Sequence, residues 1–175
     1  LDPDMTNGAY LTLNRISRFV YLPNEKDNMT LEDIDNFLYE DIPGDIIKKE
    51  ELTDPYPGIS IVNKTKKGEF QKYHIYQTPL EIIIIKFAGR SDFVLQHEDK
   101  IFNSITLKTP SNSNQLFVSP HKKFQVDFPE YYITANMENS GKKILEGYKN
   151  DAYYFIEEAA LQDLAYIEED SFEAK

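Results

Sequence analysis

The most apolar stretch of the chain, Ile82-Ile83-Ile84-Ile85-Lys86-Phe87, has almost no polar position. A strand with apolar side chains on both faces belongs inside a sheet, so this run predicts a strand buried on two sides. The residues before it alternate. Phe70, Lys72, His74 and Tyr76 fall on one face of a predicted strand over 70–77, and Gln71, Tyr73, Ile75 and Gln77 on the other. A second predicted strand over 59–63 precedes it. The polar segment between them ends in Gly68, a residue suited to a left-handed turn position, so the pair reads as a hairpin. Thr78-Pro79 then interrupts the strand before the isoleucines.

Two stretches carry helical spacing instead. Over 30–39, Leu31, Ile34, Phe37 and Leu38 make one apolar stripe. Thr30 is placed to cap it, with Asp33 three positions on, and Pro43-Gly44 ends it. After a turn at Ala88-Gly89-Arg90, Ser91 is the expected N-cap of a second helix through Val94, Leu95, Glu98, Ile101, Phe102 and Ile105.

The remaining segments are shorter. Tyr10-Leu11-Thr12-Leu13 alternates as a strand, and 46–52 is an amphipathic strand or a helix end. Residues 109–119 are Ser/Asn-rich and read as a linker. Residues 123–129 alternate as a strand, 131–135 and 141–148 can follow as strands, and 152–160 is ambiguous between strand and helix. Together these elements predict an α+β fold, an antiparallel β-sheet of roughly five to seven strands flanked by two main α-helices. Residues 1–108 form the first α+β unit, 109–119 the linker, and 120–175 a β-rich segment expected to complete the same sheet. The alternative is that 120–175 begins a second repeat. That alternative comes from an internal echo, in which Asn7-Gly8-Ala9-Tyr10-Leu11 matches Asn150-Asp151-Ala152-Tyr153-Tyr154 in pattern.

Read circularly, from Lys123 through the end and back to Asn7 through Lys108, this order of elements resembles the PsbP/Mog1/DcrB-like fold. The residues that carry the resemblance are Phe124-Gln125-Val126-Asp127-Phe128-Pro129 and the segment 93–107, with Ile101-Phe102-Asn103-Ser104-Ile105. Tyr56-Pro57-Gly58 with Asn63-Lys64-Thr65 is also similar to uncharacterised repeats in large surface-associated proteins of Bacteroidetes. Neither resemblance supplies a catalytic motif. Both imply a non-enzymatic accessory or binding role. The compartment is left open by the sequence, with periplasm or cell surface as the expectation.

Composition narrows the function classes. A net charge of −11 would be repelled by a phosphate backbone, and no basic face with interleaved aromatics offsets it, so nucleic acid is not expected as a partner. With no cysteine, disulfides, thiolate metal sites and cysteine nucleophiles drop out. No apolar run reaches the length of a membrane-spanning helix. The chain opens Leu1-Asp2-Pro3-Asp4 without an initiator Met, as a processed chain or a piece of a larger protein would.

Chemistry is sparse. There is no glycine-rich phosphate loop, no His-Glu-x-x-His and no Gly-x-Ser-x-Gly. The acidic group Asp27, Glu32, Asp33, Asp35, Glu40 and Asp41 lacks the spacing of a calcium loop, so no metal and no cofactor is expected. Lys64, Lys66, Lys67 and Lys72 make a basic hairpin on an acidic chain, which could dock an acidic partner or simply discourage sheet-to-sheet pairing. The sequence therefore points to a non-catalytic binding or structural module of a larger, extracytoplasmic protein. It would meet a protein partner or a neighbouring domain through Lys64, Lys66, Lys67, Lys72, Tyr73 and Tyr76. Two alternatives stand beside it: a small hydrolase using His74 or His97 with carboxylates, and a carrier with an apolar pocket between helix and sheet.

Overall fold

The computed structural model describes residues 8–18, 44–137 and 142–158. The predicted helix over 30–39 and the acidic group beside it lie outside these residues. The chain divides into two compact units, Leu1–Leu107 and Lys108–Lys175.

In the first unit, β1 (Tyr10–Ser17), β2 (Asp45–Leu52), β3 (Gly58–Lys64), β4 (Glu69–Gln77) and β5 (Glu81–Arg90) form one antiparallel sheet in the order β1-β5-β4-β3-β2. The isoleucine run sits in β5, between β1 and β4, and is buried on both faces as its pattern requires. One face gathers Tyr76, Ile83, Ile85 and Phe87 under Val94 and Phe102 of the helix α1 (Ser91–Phe102). The other gathers Ile59, Ile61, Tyr73, Ile75, Ile82 and Ile84. The β3–β4 turn is tied by Thr65, whose amide donates to Glu69 O and whose hydroxyl accepts from the Glu69 amide, while Gly68 takes φ 83°.

The second unit holds β6 (Asn114–Val118) paired with β7 (Gln125–Pro129), and a separate sheet β10-β9-β8. Its strands β8 (Tyr132–Met137), β9 (Lys142–Lys149) and β10 (Ala152–Glu158) are antiparallel neighbours. Asn150 and Asp151, at φ 52° and 58°, make the two-residue turn between β9 and β10. Phe128 lies over Gly147, where an added Cβ would meet its Cε1 at 2.6 Å, and Tyr132 and Tyr154 present ring edges to it. A glycine in mid-strand here makes room for a ring.

The α+β expectation with two main helices is corrected. Strand accounts for 60% of the described residues, which hold one short α-helix. Segments that read either way from the sequence, 46–52 and 152–158, became strands because each found an antiparallel neighbour that bonds its backbone. The Ser/Asn-rich linker is also partly strand, since 114–118 pairs with 125–129. Among the described residues, the strands after residue 113 pair with one another and add nothing to the five-stranded sheet. The turn expected at 88–90 is instead the end of β5, which runs straight into α1. Arg90 occupies the N-cap with no side-chain cap bond, and Ser91 is already helical.

The two echoing segments share a local grammar. Gly8, at φ 61°, precedes β1, and Asp151 precedes β10, so each strand opens after a left-handed residue and each lies at a sheet edge. Their partners differ, since β1 pairs with the distant β5 and β10 with the adjacent β9. Among the described residues, no helix is long and apolar enough to cross a membrane.

Candidate functional site

The six residues expected at a contact surface do not share one. Lys66 and Lys67 are exposed at the β3–β4 tip, and Lys64 lies over the Phe70 ring at 5.7 Å. Lys72 points under α1, with its Nζ 3.5 Å from Glu98 and 4.0 Å from Asp99, and 5.3 Å from the Phe102 ring centroid. Tyr73 and Tyr76 are 7% and 6% exposed, on opposite faces of the sheet. The Tyr73 hydroxyl donates to Gln71 Oε1 at 2.9 Å, and burial pushes its pKa up. Lys86 sits against both the Tyr10 and Tyr73 rings, at 5.2 and 5.4 Å. Burial works against its charge, yet hydrogen bonds to the two tyrosines outweigh that and hold its pKa above the ordinary lysine value. The lysine tip also guards no sheet edge, because β3 and β4 are interior strands.

The two histidines considered for catalysis have other occupations. His74 Nδ1 is 3.0 Å from the Tyr76 hydroxyl, and its ring lies 4.1 Å from that of Phe102. Burial, with Lys72 adding to it, lowers its pKa to about 4. The His97 ring stacks on Phe93 at 4.2 Å and places Nδ1 2.9 Å from the Phe93 carbonyl oxygen. That oxygen only accepts, so Nδ1 carries the proton. Among the described residues, neither ring hydrogen-bonds a carboxylate, and no three metal-ligating side chains cluster. The side chain of His121 lies outside the description.

The structure does form a groove beside β1. It has a volume of about 420 Å3, with Ala9, Leu11 and Phe87 as its floor and Phe93, His97 and Ile101 of α1 as its wall. Its origin is local. α1 runs above β4 and β5 and stops short of β1, so among the described residues the helix-side face of the edge strand stays open. Ala9, which lines the groove, packs close to Gly89 of β5, where an added Cβ would lie 2.9 Å from Ala9 Cα. Lys100 and Ser104 stand along the wall, and Lys100 is the one formal charge among the described lining residues. It forms no ion pair among the described residues. Beyond the groove the same face continues to Leu13, 59% exposed, with Leu11 at 43%.

The sequence offered an apolar pocket between helix and sheet only as an alternative, and named none of these residues as its lining. Its signal was present in Tyr10-Leu11-Thr12-Leu13, an alternating strand without a single acid or lysine, where an exposed edge normally carries charge. A second hollow, about 380 Å3, lies within the second unit beside Phe117, Phe124, Ile144 and Ile156, with the Lys123–Glu158 ion pair close by at 2.7 Å. No family model, curated protein or solved structure matches the chain.

Proposed function

We propose that this chain is a non-catalytic binding module whose working surface is the groove between α1 and β1. The observation that supports it is the groove itself, an apolar hollow of about 420 Å3 beside a helix that, among the described residues, leaves one edge strand uncovered. That volume lies in the usual range for ligand sites, roughly 300–1,000 Å3. Its walls belong to the helix and the sheet, so it is formed before any ligand arrives. The polar groups along it suit an apolar occupant, since His97 Nδ1 and Ser104 Oγ already spend hydrogen bonds on backbone carbonyls of α1.

The neutral fluorophore N-phenyl-1-naphthylamine tests this reading. Its emission should rise with the wild-type chain and fall back with Leu11→Arg, an exposed position whose replacement leaves both core clusters untouched. Equal emission from the two chains would remove the groove as the binding surface.

A further inference from the structure

The five-stranded sheet has two edges, and they are built differently. β2 reads Asp45-Ile46-Ile47-Lys48-Lys49-Glu50-Glu51-Leu52, with a register shift between Ile46 and Lys48. Charges and a bulge are how an edge refuses another strand. β1 has neither in its first half. Its register with β5 is unbroken from Tyr10 to Ser17, and it exposes Leu11 and Leu13 on the helix side. Among the described residues, 10–14 make no backbone hydrogen bonds beyond those to β5, so alternate N–H and C=O groups face outward without a described partner. An apolar, flat, open edge invites aggregation unless something takes it.

The apolar strip is also longer than the groove. Leu13 lies past the groove lining but on the same face, two residues on from Leu11, as the side chains of an added strand would require. A compact ligand would fill the hollow and leave Leu13 and the backbone edge bare. The charges point the same way. β1 contains no acidic residue, and its Arg15 pairs with the buried Glu81 at 2.6 Å. Lys100 on the wall is uncompensated among the described residues of a chain that carries −11 overall. Lys100 thus gives the groove wall a single cation without a described ion-pair partner, complementary to a carboxylate on an occupant.

We infer that the occupant is an extended peptide segment of a partner protein, which adds a strand to β1. It sets apolar side chains at alternate positions over Leu11 and Leu13 and brings a carboxylate to Lys100. Main-chain bonds to β1 supply affinity, and the groove and Lys100 supply selectivity. This rests on the reading of the α1–β1 groove as the binding surface. A second copy of the chain is disfavoured as occupant, because it would bring another −11 to the same edge.

The test is selection of a phage-displayed library of random octapeptides against the full chain, followed by synthesis of the enriched sequence. Enriched peptides should alternate apolar and polar residues and carry Asp or Glu. Binding should slow hydrogen exchange of the 10–14 amides. Leu13→Lys should weaken it about tenfold, the scale of losing one buried leucine contact. Lys100→Glu should weaken the acidic peptide about fivefold, the scale of an exposed ion pair, and should not affect the same peptide with its acid changed to the amide. Three results overturn the inference: peptides that bind Leu13→Lys equally well, indifference to Lys100→Glu, or a dimer in solution with the same amides already protected. Emission from N-phenyl-1-naphthylamine without any peptide selected would sink the peptide and leave the groove standing. Loss of both would sink the groove reading too.

Discussion

His74 shows how one residue type takes its role from where the chain puts it. On β4 its ring is set between Tyr76 and Phe102, in a place poorly hydrated and next to the Lys72 cation. Its pKa falls from 6.5 to about 4, so the folded state holds it neutral where an unfolded chain would protonate it. Between these values the unfolded chain binds more protons, and stability rises with pH. The urea midpoint should therefore decline as pH falls from 7 to 4, with a shallower decline in His74→Phe. Parallel pH profiles for the two chains would rule out this account. Little of this was legible in the sequence. The alternation of β4 correctly put Lys72, His74 and Tyr76 on one face and Tyr73 on the other. It could not say that α1 would land on the first face, turning a candidate contact lysine into an ion-pair partner for Glu98.

At the scale of elements, α1 docks on β4 through Lys72, Glu98 and Phe102. The pair is largely enclosed, with side chains 14% and 17% exposed. Removing one member leaves the other charge poorly compensated, while replacing both by apolar residues removes the desolvation cost. Lys72→Met alone should cost about 1–3 kcal/mol, and Lys72→Met with Glu98→Leu should recover most of it. A double variant that is simply the sum of its singles would show that the pair does not couple. Strand and hairpin positions were readable here because period-2 alternation and the Gly68 turn are local signals. Which strands lie at the edges was not readable, because edges are set by pairing between distant segments such as β1 and β5. That is why the lysine tip could be read as edge protection although it sits between interior strands.

For the whole molecule, the two core clusters of the first unit draw on residues from 9 to 107. A chain ended after Leu107 should keep a cooperative unfolding transition by circular dichroism. A broad, non-cooperative melt would mean that later residues are needed for the sheet. The sequence by itself determined the buried isoleucine strand, the hairpin beside it, and the exclusion of cysteine chemistry, since each depends on residue type and near-neighbour spacing. Tertiary structure alone decided that the protein is mostly antiparallel β-sheet, because ambiguous segments become strands only when a partner edge satisfies their backbone. It also decided where the groove lies. The uncharged alternation of 10–13 is a local mark of the strand, but that α1 covers β4 and β5 and, among the described residues, leaves β1 open is a matter of packing geometry between distant segments.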